Sequence, residues 1–119
     1  MNETVLKPLL LRDKEFLREL YQSESASHAK NILNFASDSK VNTLLKFMYM
    51  VSNGQIKVKK ENFEKLSNNH LKQLKKHLDS KSALQRLLSS ERKTKLQFLN
   101  KYNSVFHDLL FTLFNRIMS

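Results

Sequence analysis

Apolar residues recur at three- and four-residue intervals along most of this chain, the period of an α-helix laid against a core. Pro8 suits a first helical turn, and Leu10, Leu11, Phe16, Leu17, Leu20 and Tyr21 follow at that spacing. A second helix is predicted across "SASHAKNILNFA", with Ser23 or Ser25 as its cap and Ile32, Leu33, Phe35 and Ala36 as its buried stripe. The clearest pattern is "SDSKVNTLLKFMYMVSNG". There Asp38 or Ser39 is the cap, and Val41, Leu44, Leu45, Met48 and Val51 line one face. Asn53 and Gly54 end it, because Gly54 takes the left-handed conformation a helix C-terminus often needs.

The pattern then loosens. "QIKVKK" alternates apolar and basic residues, but two apolar positions do not make a sheet. Residues 61–66 form a helical turn, and Ser67 caps "NNHLKQLKKHLD", whose Leu71, Leu74 and Leu78 share a face. "SALQRLLSS" contributes Leu84, Leu87 and Leu88. Ser89 or Ser90 then caps a long apolar C-terminal helix over 91–118. Leu99, Tyr102, Phe106, Leu110, Leu113 and Ile117 run along it in one stripe, widened by Phe98, Val105 and Leu109. Its end, "VFHDLLFTLFNRIM", is apolar nearly all round, which fits a central core helix or an oligomer interface. The fold class that follows is all-α: a single domain over 1–119, built as a compact bundle of about five or six helices. A single Gly and a single Pro in 119 residues agree with that, since both residues break helices.

Charge changes the picture more than composition does. The net charge of +10 is concentrated: residues 55–101 hold thirteen basic and four acidic side chains, whereas 1–54 hold seven and six. A segmental excess makes a directed positive field, which favours polyanions. The candidate phosphate-neutralising residues are Lys57, Lys59, Lys60, Lys65, Lys72, Lys75, Lys76, Lys81, Arg86, Arg92, Lys93, Lys95 and Lys101. Eleven are Lys and two Arg. Lysine acts as a point charge, whereas arginine forks onto guanine edges, so the bias predicts backbone contacts with little base reading. Only Phe63 and Phe98 interleave with these charges, which favours duplex DNA over single strands stacked on rings. "SNNHLKQLKKHLDSKSALQRLLSS" also admits a helix-turn-helix with its turn near 79–81, but it lacks a turn glycine and base-reading side chains at the second helix start.

Other chemistry has little to stand on. The chain contains no Cys, which excludes disulfides and thiolate metal sites. Among His28, His70, His77 and His107 no i, i+4 pair occurs, and His70 and His77 stand seven apart, so no metal and no cofactor is expected. Glu15 and Glu19 read as a solvated helix face rather than a catalytic pair. There is no Gly-rich phosphate loop and no Gly-flanked Ser, and a non-enzyme is expected. "PLLL" is too short for a signal-peptide core, and no run of about 18 apolar residues occurs. An intracellular setting follows as the expectation, with the host nucleus or a virion as candidates. A membrane surface ranks lower, because charges and apolar run are separated in sequence rather than sharing one helix.

The ordered set of segments "ILNFASDSKVNTLLKFMYMVSNGQIKV", "LKKH" and "SALQRLLSSERKTKLQFLNKYNSVFHDLL" resembles the small basic core-like proteins of adintoviruses and related Maverick/Polinton-type elements. Ile32, Leu33, Ala36, Ser37 and Asp38 resemble that family's apolar–Asn–Ala–Ser–Asp junction. Asn53, Gly54 and Ile56 resemble its Asn-Gly-x-Ile turn, and Lys75, Lys76 and His77 its basic helix. Arg86, Leu87, Arg92, Lys93 and Lys95 resemble its basic run. The likeness spans about residues 30–110. The family's Gly-Gly-Phe-Leu element is replaced here by "NSVFHDLL", which reads as a folded helix rather than a peptide-like tail. The resemblance implies a viral or transposon origin and a structural, nucleic-acid-associated role. On that expectation Tyr102, Phe106, Leu110, Leu113, Phe114 and Ile117 form the self-association interface of a homo-oligomer. Two alternatives remain: a helical protein-interaction module that engages host or viral partners through the C-terminal helix, and, more weakly, a helix-turn-helix transcription regulator.

Overall fold

The computed structural model describes residues 3–53 and 68–102, with only the backbone for 3–7, 51 and 68–72. Every regular element among them is helical. In chain order they are α1 (Glu3–Arg12), α2 (Lys14–Tyr21), α3 (Ala26–Asn34), α4 (Asp38–Ser52), α5 (Asn68–His77), α6 (Lys81–Leu88) and α7 (Arg92–Lys101). The all-α reading holds, with seven helices among the described residues where about five or six were expected for the chain. The long helix over 91–118 is not reproduced: α7 stops at Lys101, and 103–119 lie outside the described residues.

The centre of the bundle is α4. Its stripe of Val41, Leu44, Leu45 and Met48 is buried as the period predicts. So are Phe47, Tyr49 and Met50 on its other sides, because α1, α5, α6 and α7 all pack around it. Burying each such side chain stabilises the fold by roughly 1.5–3 kcal/mol, which is why a helix covered all round anchors the domain. Leu10, Phe16, Leu17, Leu20, Leu33, Leu74, Leu78, Leu84 and Leu99 complete the same core.

Several local readings shift. Pro8 is inside α1 rather than at its start. It is exposed, so the ladder bond it cannot donate is lost on the solvent side. The pattern from Pro8 to Tyr21 is interrupted at Asp13, whose φ of −100° and ψ of 22° divide α1 from α2. Leu11 is consequently half-exposed. Phe35 belongs to no buried stripe: it is 91% exposed. The true stripe of α3 is Ala29, Leu33 and Ala36, spaced four and three. Phe35 follows Leu33 by two residues, about 200° round the helix, and caps the C-terminus instead.

The caps are a mixed result. Ser25 caps α3 by accepting from the His28 N–H at 3.1 Å. For α4 the cap is Ser37, one residue before the expected pair, accepting from the Lys40 N–H at 3.3 Å. Neither Ser89 nor Ser90 caps α7. The N-cap there is Glu91, and Ser90 instead donates to the Leu87 carbonyl at 2.6 Å. Ser80 caps α6, accepting from the Ala83 N–H at 3.2 Å, and so sets the turn before the basic helix. Ser80→Ala is expected to cost about 1 kcal/mol and to lower the melting midpoint by about 4 °C, read by thermal circular dichroism. No change would mean that the cap contributes nothing to that turn.

Asp13 is 5% exposed yet charged, and the structure shows why it is tolerated. Its carboxylate accepts from the Thr43 hydroxyl at 3.1 Å and from the Arg12 Nη2 at 3.1 Å. Arg12 also donates to the Ser39 hydroxyl at 2.8 Å. The corner between α1 and α2 is thereby tied to the first turns of α4. The hydrogen bond Arg12 donates to Asp13, and next the charge of that carboxylate, raise the guanidinium above its ordinary value. A group so raised keeps its favourable charge at every pH below that value, so the tie does not switch near neutrality.

Candidate nucleic-acid interface

The basic segment is folded into α5, α6 and α7 by a simple division of faces. Leu74 and Leu78 turn inward, and Gln73, Lys75, Lys76 and His77 outward. Lys75, Lys76 and His77 occupy the last turn of α5, where the negative end of the helix dipole favours cations. On α6, Ala83 and Leu84 are buried while Lys81 and Arg86 are exposed. Asn53 fastens the end of α4 to this region, donating to the Leu78 carbonyl at 3.0 Å and to the Tyr49 carbonyl at 2.9 Å.

The ends of α5 and α7 converge through rings. His77 meets Phe98 edge-on at 6.4 Å, and Phe98 meets Tyr102 at 4.9 Å. The Lys101 ammonium lies 5.5 Å from the Tyr102 ring centroid, within cation–π range. Lys75 and Lys76 are therefore carried on a helix end that adjoins the end carrying Lys101.

Six of the thirteen expected phosphate ligands, Lys75, Lys76, Lys81, Arg86, Lys93 and Lys101, are exposed. Among the described residues none of these six pairs with a carboxylate. The ion pairs there are Arg12–Asp13, Arg18–Glu15 and Arg92–Asp38. Lys57, Lys59, Lys60 and Lys65 lie outside the described residues, and Lys72 is described by its backbone alone.

Two expected ligands do other work. Lys95 is 7% exposed and donates to the Asn42 Oδ1 at 3.1 Å, so as placed it faces the core and not a phosphate. Arg92 reaches back to the junction of α3 and α4. It donates to the Asn34 carbonyl at 3.0 Å, to the Ala36 carbonyl, and to the Asp38 carboxylate at 2.7 Å. Carbonyls at a helix C-terminus have no partner within their own helix, and the guanidinium supplies one. Tyr102, expected at an oligomer interface, is fully buried in the core, its hydroxyl without a partner among the described residues. The other interface candidates, Phe106, Leu110, Leu113, Phe114 and Ile117, lie outside the described residues.

Lys95 offers a sharp discrimination. Lys95→Met keeps the buried stem and removes a charge whose hydrogen-bond partner is the neutral amide of Asn42. Stability is expected to hold or rise by up to about 1 kcal/mol, and the salt dependence of any DNA binding should not move. A salt slope reduced by about 0.9 would instead make Lys95 a phosphate ligand.

No family model, curated protein or solved structure matches this chain. Among the described residues no three His, Asp or Glu side chains gather where a metal would be held. No helix there is long and apolar enough to cross a membrane. The signal that separates structural from surface cations was present in the pattern. Lys95, Leu99 and Tyr102 are spaced four and three, so Lys95 shares the buried phase of α7. Asp13 likewise stands three after Leu10 and four before Leu17.

Proposed function

We propose that this protein is a non-enzymatic, helical nucleic-acid-binding protein that grips phosphate backbones through the exposed cations of α5, α6 and α7. The observation that carries the reading is the unpaired state of Lys75, Lys76, Lys81, Arg86, Lys93 and Lys101 among the described residues. Among the described residues the carboxylate that meets a cation of the segment is Asp38, from outside it, and its partner Arg92 also holds two backbone carbonyls.

The resemblance to core-like proteins of adintoviruses supports a packaging role in a virion. A self-association surface along Phe106, Leu110, Leu113, Phe114 and Ile117 belongs to the same reading on the sequence pattern. The test is fluorescence anisotropy with random-sequence duplex DNA across a salt series. Six phosphate contacts give a slope of log affinity on log salt of about −5, so binding falls roughly 1,000-fold between about 50 and 200 mM salt. Unrelated duplexes should bind alike, because lysine reads charge rather than bases. Absent binding at low salt would overturn the proposal, and strong preference for one sequence would turn it toward a transcription regulator.

A further inference from the structure

Between α2 and α3 runs a surface groove of about 430 Å³. It is distinct from the helices that carry the basic face. Phe16 and Ala36, both buried, and the half-buried Ile32 give it an apolar lining. Beside them stands Phe35, also lining the groove and 91% exposed. An exposed phenyl ring next to an apolar hollow is the composition of an interaction surface rather than of a solvated one.

The same patch carries both halves of a contact, a projecting ring and a hollow. A two-fold interface demands this, since each residue there must face the partner's copy of the same patch. Its charges obey the same rule. Glu15 and Glu19 line the groove together with Lys40, whose ammonium lies 5.4 Å from the Phe16 ring centroid. Two copies of a chain of net charge +10 repel one another unless they meet where that excess is absent. The exposed cations of α5, α6 and α7 oppose such a meeting, whereas Glu19, Lys40 and Glu15 with its own partner Arg18 permit cross-pairing of opposite signs.

We propose that a second copy of this chain docks here, with the two groove patches face to face and each Phe35 filling the groove of the other copy. The test is size-exclusion light scattering of the full chain over a concentration series, after nuclease treatment and in about 0.5 M salt to remove bridging by nucleic acid. Wild type should pass from monomer to dimer. Phe35→Asp should weaken the dimer roughly tenfold or more with an unchanged circular dichroism spectrum, because that side chain supports nothing in the monomer. Phe35→Leu, still apolar, should keep most of the dimer. A wild type that stays monomeric throughout would overturn the proposal and leave the groove to a different protein. A dimer undiminished by Phe35→Asp would overturn it too, and would move self-association to residues 103–119.

Discussion

Replacing Lys75, Lys76, Lys81 and Arg86 together by Gln should cut the salt dependence of DNA binding by more than half while leaving the fold intact. These side chains are exposed and make no ion pair among the described residues, so their loss removes none there. Of the six described cations, Lys93 and Lys101 would remain. The slope of log affinity on log salt should fall from about −5 to about −2, and affinity at about 50 mM salt should drop by two orders of magnitude or more. Anisotropy with duplex DNA reads both numbers, and circular dichroism checks the fold. A folded variant that binds like wild type would remove this face from consideration. The choice of four depends on the structure. A set drawn from sequence alone would include Arg92 and Lys95, and would confuse lost binding with lost stability.

Arg92→Ala should be among the most destabilising single changes at a charged position. The guanidinium holds the Asn34 and Ala36 carbonyls and the Asp38 carboxylate at once, joining α7 to the corner between α3 and α4. Ala36 is buried, so its carbonyl has little other recourse. Hydrogen bonds to a charged group contribute about 1.5–3 kcal/mol, and a loss of about 2 kcal/mol lowers the melting midpoint by roughly 8 °C. Arg92→Lys should recover less than half, because an ammonium cannot span several acceptors as a planar fork does. Asp38→Asn should cost under about 0.5 kcal/mol, since that carboxylate is largely exposed. If thermal melts show the Asp38 and Arg92 changes to be equal, the ion pair and not the carbonyl clamp is the stabilising contact.

The helical class and the extent of α4 were legible because their signals are local. Apolar residues three and four apart mark a buried face wherever the chain later packs, and Ser25 caps the helix it precedes through a bond only three residues long. What was not legible depends on partners distant in sequence. The clamp of Arg92 spans more than fifty residues, as does the bond from Lys95 to Asn42. A count of basic residues treats both as solvated charge. Phe35 failed for the opposite reason: its type argues for burial, and only its phase relative to Leu33 argues against. The exposed set of α5, α6 and α7 was legible as a group, since charge on the outer faces of amphipathic helices needs no tertiary partner.

The central place of α4 has a consequence for synthesis. When the ribosome has just passed Asn53, α4 is complete, but three of the four helices that surround it, α5, α6 and α7, have not been made. A nascent chain at that stage can shield α4 only with what precedes it, leaving Phe47, Met48 and Met50 short of the cover they have in the finished fold. The domain can close only when the last of the three emerges. Until then the half-made chain offers an apolar helix to chaperones, and to its own neighbours on the same polysome.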